Sequence, residues 1–199
     1  MTSHARDPRR GDCRSPTPPR LLSDPLGFLH EDHLRERHVC AILDRLAAGE
    51  AVARRDLDQA AGFLGTELAL HIADEEADLF PLLRRRCAPE DEIAPVLVRL
   101  EADHLHAGVD TPGIVAAVRA GPDRLDATGR EGLRRYANHA RRHLILETAI
   151  VLPFARLRLA PGDLETLGRR MMRRRGIVAP AVARDGAGGA ADTGTETCE

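Results

Sequence analysis

From Pro25 onward the chain is built of long stretches in which apolar residues recur every three or four positions, separated by short breaks rich in Gly, Pro and Asp. Phe28, Leu29, Val39, Ile42, Leu43 and Leu46 line up on one face of a first predicted helix. Ser23-Asp24-Pro25 supplies its cap and first-turn proline, and Gly49 its stop. A second stretch starts at Asp56 and carries Leu57, Ala60, Ala61, Leu64, Leu68, Ile72, Leu79 and Leu82 to Arg86, with a kink predicted near Pro81, which has no backbone donor. After the turn Ala88-Pro89-Glu90-Asp91, Ile93, Val96, Leu97, Leu100 and His104 share a face of a third helix. Gly108 to Gly113, with Pro112 between them, predicts an interruption there, with Ile114 to Arg119 continuing at an angle and helix three bent away from the core. Leu125, Leu133, Tyr136, Ala140, Leu144, Val151, Phe154 and Leu157 mark a fourth helix, interrupted at Pro153. A shorter one, from near Pro161-Gly162-Asp163 to about Arg175, is expected to pack outside the others.

Four long helices with short connections predict an all-α, up-down-up-down four-helix bundle with a short additional C-terminal helix. The β-branched and aromatic clusters that mark strands are missing. Residues 1–20 and 179–199 carry Pro, Gly, Ala, Thr and charge without an apolar period and are expected to be disordered tails, leaving 21–178 as the domain.

On this helical frame lies a repeat. Asp32-His33-Leu34 is followed by His71-Ile72-Ala73-Asp74-Glu75 and Pro81; Asp103-His104-Leu105 is followed at nearly the same distance by His143-Leu144-Ile145-Leu146-Glu147 and Pro153. Each half reads Asp-His-Leu, then His-x3-Glu-x5-Pro. A histidine and a glutamate four residues apart share a helix face, so each pair can aim a nitrogen and a carboxylate oxygen at one point. Across the hairpins, His33 is expected to meet His71 and Glu75, and His104 to meet His143 and Glu147. The neighbours of these residues are apolar, and a buried carboxylate is costly unless a cation supplies the missing charge. Four imidazoles and two carboxylates in a bundle core can hold a pair of metal ions, and iron, manganese and zinc all suit such ligands.

Charge and composition narrow the alternatives. The 29 basic residues are all arginine, are interleaved with 31 acidic ones and leave a net charge of −2, so no nucleic-acid footprint is visible. The first twenty residues lack the apolar run of a secretory signal, and no apolar stretch is long enough to span a membrane; a cytoplasmic location is the expectation. Cys13, Cys40, Cys87 and Cys198 have no C-x-x-C spacing, which speaks against a disulfide framework or a thiolate zinc site.

The stretch from Pro25 to Leu159 resembles the hemerythrin-like, or HHE cation-binding, family, most specifically in the eleven residues from His71 to Pro81 and in His143 to Glu147 with Pro153. The resemblance implies a non-haem centre of two iron ions held by His33, His71, Glu75, His104, His143 and Glu147, the two glutamates bridging. It also implies a small diatomic or peroxide ligand. Oxygen-carrying members use five histidines, the fifth one turn beyond the first on helix three; here that place is Gly108. His106 points to the opposite side. His30, one turn before His33, and His139, one turn before His143, are candidates for the fifth ligand; Glu67 has a weaker claim and His38 faces away. The alternative is a six-ligand centre with a position left open.

The implied function is binding or sensing of oxygen, nitric oxide or peroxide. An enzyme reducing peroxide or nitric oxide, or a metal-free helical interaction module, are the alternatives. The iron–sulfur repair relatives carry an added domain with paired cysteines, whereas the N-terminal segment here has only Cys13.

Overall fold

The computed structural model describes residues 14–177; the expected tails lie outside them except for residues 14–20. The described chain forms four long helices and a shorter fifth: α1, Pro25–Ala48; α2, 54–86; α3, Ile93–Ala120; α4, 127–158; and α5, Pro161–Arg174. No strand occurs among the described residues. None of their helices is long and apolar enough to cross a membrane.

The helix ends follow from local chemistry. The Asp24 carboxylate accepts the Gly27 N–H at 3.0 Å ahead of α1, and Asp126 accepts the Gly129 N–H at 2.7 Å ahead of α4, each satisfying an orphan donor of the first turn. Gly49 closes α1 at φ 78°, a conformation that costs a residue without a side chain little. Consecutive helices pack side by side and α4 returns against α1, closing the ring.

Two apolar clusters fill this ring at its opposite ends. One joins Leu43 and Leu46 of α1 to Leu64, Val118 and Leu133; the other joins Leu29 to Leu79, Leu97, Val151 and Leu167. Between them lies a polar waist of buried side chains, among them His33, His71, Glu75, His104 and Glu147. Burial of apolar area at about 25 cal/mol per Å² holds the two ends, and they clamp the waist between them.

Two local expectations are corrected. Helix α3 runs unbroken through Pro112. The proline ring presses on the carbonyl four residues back, that of Gly108, which has no side chain and lies at the exposed surface, so water can take over the lost hydrogen bond. Ile114, Val115 and Val118 remain buried beyond it, and Thr111 meets the Tyr136 hydroxyl at 2.9 Å. At the N-terminus, the stretch expected to be unstructured up to residue 20 is packed by Thr17, which is buried and donates to Asp32, and a 3-10 turn spans Pro19–Ser23. A side chain–side chain bond to a residue fifteen positions away has no periodic signature.

The other two prolines act differently. In α2 the turn Glu75–Leu79 widens so that the Phe80 N–H bonds to the Glu75 carbonyl, five residues back; in α4 the turn Glu147–Val151 does the same, with Leu152 bonding to Glu147. Each π turn ends two residues before a proline that cannot donate to the ordinary i−4 acceptor. The proline of the repeat therefore stands where the helix must re-aim the glutamate six positions before it.

Helix α5 docks across this region. Leu167 and Met171 are buried, and a methyl group on Gly168 would stand 2.6 Å from the Leu22 carbonyl oxygen, so only glycine permits the approach. Asp74, next to Glu75 and fully buried, pairs with Arg174 and with Arg175 at 2.7 Å; Asp78 pairs with Arg170 and Arg174, both at 2.7 Å.

Candidate metal centre

Six residues from four helices converge in the polar waist. His33 comes from α1, His71 and Glu75 from α2, His104 from α3, and His143 and Glu147 from α4. Their ligand atoms form two overlapping groups, His33, His71, Glu75 and Glu147 on one side and Glu75, His104, His143 and Glu147 on the other, with all atoms of a group within 4.8 Å of one another. Both glutamates belong to both groups. The Nε2 of His33 lies 3.6 Å from Glu75 Oε1 and 3.3 Å from Glu147 Oε2; that of His71 lies 3.5 Å from Glu75 Oε2. On the other side, His104 Nε2 is 3.4 Å from Glu75 Oε2, 3.7 Å from Glu147 Oε1 and 3.0 Å from His143 Nε2, which is itself 2.9 Å from Glu147 Oε1.

These atoms fit a pair of cations. Both oxygens of Glu75 and of Glu147, and the Nε2 of His33 and of His71, are buried and have no hydrogen-bond partner. Leaving so many polar atoms unsatisfied in a core is costly, and each is a metal donor with its lone pair aimed at a shared centre. Imidazole with carboxylate is the donor set of iron, manganese and zinc.

Electrostatics point the same way. Burial alone lowers the basicity of His71, but Glu75 and Asp32 outweigh it and raise its pKa to about 10; burial also opposes charge on His104, which Glu147 and Glu75 raise to about 11. Glu147, despite its burial, is held well below the usual carboxylate range by His143 and His33. Glu75 is lowered too, its burial and the repulsion from Glu147 being overcome by His71. Protons on imidazole balance the two carboxylates here. A cation that takes their place must displace them.

The outward nitrogens reveal what the rest of the repeat does. His71 Nδ1 lies 3.6 Å from Asp32 Oδ2, and His143 Nδ1 lies 3.6 Å from Asp103 Oδ2, ion-pair distances longer than a hydrogen bond, so the Asp of each Asp-His-Leu stands beside the outward nitrogen of the second histidine of its own half. His104 Nδ1 meets Glu76 at 2.9 Å, and His33 Nδ1 meets the Thr148 hydroxyl at 3.3 Å. The residue after each shared glutamate thus holds the single histidine of the other half. Such outer partners fix the ring and, when acidic, raise its basicity. Asp103→Asn is expected to weaken metal binding about 10- to 100-fold while leaving the helical content intact; competition with a chromogenic chelator measures it, and unchanged affinity would remove Asp103 from this role.

The remaining candidates lie elsewhere. His30 lines a surface hollow with Arg20, Asp24 and Glu31 and belongs to neither ligand group. His139, its side chain 34% exposed, has Nε2 3.6 Å from Asp103 Oδ1 and also stands outside both groups. Glu67 forms a two-pronged pair with Arg35, which also lies over the Phe63 ring at 5.0 Å. His106 is exposed and bonds the Ala102 carbonyl, and His38 is half-buried.

A small cavity adjoins the centre, walled by His71, His104 and His143 together with Glu36, Ala107 and Tyr136. Its volume is about 20 Å³, on the measure by which 10–15 Å³ admits one water molecule. It is a small, partly open space against the centre. Sequence reading passed over Glu36: burial, reinforced by Glu147, raises its pKa although His71 and His143 lower it.

Comparison with known proteins accords with this geometry. The sequence description of the hemerythrin HHE cation binding domain matches residues 24–155, the stretch that forms α1 to α4 and supplies all six converging residues. No curated protein matches the chain. Helix α5 lies beyond the matched stretch.

Proposed function

Because the chain belongs to the hemerythrin family of HHE cation-binding domains, we propose that its buried cluster holds two non-haem iron ions and that the protein binds or senses oxygen, nitric oxide or peroxide. The observation that carries this reading is the sharing of Glu75 and Glu147 by two four-residue ligand groups. A pair of ions bridged by carboxylates in a helical bundle favours iron over zinc. Each group offers four protein atoms, so a metal preferring higher coordination keeps positions for a small molecule. When bound, iron supplies redox chemistry toward such molecules. The chain supplies the donors, the outer partners that hold them and a small cavity beside them.

An enzyme that reduces peroxide or nitric oxide is the second reading. It is favoured by Gly108, exposed and without a side chain where oxygen carriers place a fifth imidazole. Anaerobic titration of the reduced, iron-loaded protein with nitric oxide, oxygen and peroxide separates the two. A stoichiometric change in the visible spectrum that ends at saturation supports binding or sensing, and sustained consumption that depends on an added electron donor supports the enzyme. No spectral change with any of the three contradicts both.

A further inference from the structure

Glu36 is an acidic group for which the centre, as built above, has no use. It lies on α1 one turn beyond His33, is 5% exposed and forms part of the cavity wall. Other buried carboxylates of the waist are engaged: Glu75 and Glu147 face the imidazoles, Asp32 faces His71 and receives Thr17, and Asp74 and Asp78 take arginines from α5. Glu36 forms no hydrogen bond or ion pair among the described residues and stands outside both ligand groups. An unpaired carboxyl in a core costs several kcal/mol, and packing does not demand one here. The repeat places Ala107, three residues after His104, at the position equivalent to Glu36, and both line the same cavity. The small residue of one half makes the room; the acidic residue of the other gives that room its one unengaged carboxyl.

We propose that Glu36 is the hydrogen-bonding partner of the small molecule that enters this cavity, making it a specificity residue that favours ligands able to share a proton, of the class of peroxide, over weakly hydrogen-bonding diatomics. This rests on the metal-centre reading and adds to it a selectivity that the six converging residues do not confer. Glu36 lines the cavity without a hydrogen-bond partner among the described residues, so a ligand that replaces water there is placed to supply one. A molecule without hydrogen-bonding capacity leaves the carboxyl stranded.

The test uses the full-length iron-loaded protein, with azide as the hydrogen-bonding probe on the oxidised form and nitric oxide as the weakly bonding probe on the reduced form. Iron content is read first. Glu36→Leu is expected to keep wild-type iron, to lose about tenfold or more in azide affinity, and to hold nitric oxide within about threefold of wild type. Glu36→Gln, which keeps hydrogen-bonding atoms in the same place, is expected to retain azide affinity within about threefold. In the metal-free state Glu36→Leu is expected to melt at a higher temperature than wild type, because an unpaired buried carboxyl has been replaced by a residue of similar size; a merely structural Glu36 gives the opposite shift. Wild-type azide affinity in Glu36→Leu, a parallel loss of azide and nitric oxide, or loss of iron from that variant each overturns the proposal. Absence of iron from the wild type itself overturns the metal-centre reading, and this proposal with it, before azide is added.

Discussion

Glu147→Ala is expected to empty both halves of the centre, whereas His33→Ala removes one ion and leaves the other. The difference follows from the sharing of atoms: Glu147 belongs to both ligand groups and His33 to one. Truncating one partner of a buried charged set costs about 3–5 kcal/mol because the remaining charges stay uncompensated, and that corresponds to a loss of affinity of more than a hundredfold. Elemental analysis after gel filtration reads the result directly. Equal metal in Glu147→Ala and His33→Ala would show that the carboxylate is not shared, and wild-type metal in both would remove the cluster from consideration.

Removal of the metal is expected to lower the melting temperature by at least about 5 °C. A cation present at a hundred times its dissociation constant stabilises the folded state by about 2.7 kcal/mol, and for a chain of this size each kcal/mol shifts the transition by about 2–4 °C. The pH dependence should also reverse. In the metal-free protein His71 and His104 have pKa values raised to about 10 and about 11, above the roughly 6.5 of an unfolded histidine. Their contribution to stability is full below that unfolded value and is lost as pH rises through the folded values. The metal-free protein should therefore weaken from about pH 6.5 upward, while metal binding, which must displace those protons, tightens over the same range. Melting curves at several pH values, with and without a chelator, test both statements. Parallel pH profiles for the two forms would contradict the proton–metal exchange.

How much of this could be read from the chain depends on whether a residue's role is periodic. The helices announced themselves through apolar spacing and through caps such as Asp24 and Gly49, and the six converging residues stood out because each half of the repeat offers the same donors. The repeat also contained Asp32 and Asp103, but their work is done across helices, toward His71 and His143, and spacing along one helix cannot show it. Pro112 misled for a related reason. Its cost depends on whether the carbonyl behind it is buried, and Gly108 is exposed. Pro81 and Pro153 shape π turns because the turns before them carry Glu75 and Glu147 into the core. Glu36 was invisible because it breaks the repeat, with Ala107 as its counterpart. Asymmetry between the halves was the signal that could have found it.

Helix α5 illustrates a further limit. The cap signal at Pro161-Gly162-Asp163 placed it in the sequence, yet its position over the middle of α2 depends on Arg170, Arg174 and Arg175 reaching Asp74 and Asp78. In a chain whose basic residues are all arginine, no composition signal singles those three out.

The most direct measurement is metal content per chain in protein purified from iron-replete cells without added chelator. Two ligand groups that share Glu75 and Glu147 predict two iron ions per chain, bound together and lost together from Glu147→Ala. One ion, or none, in a folded wild-type protein would contradict the shared centre.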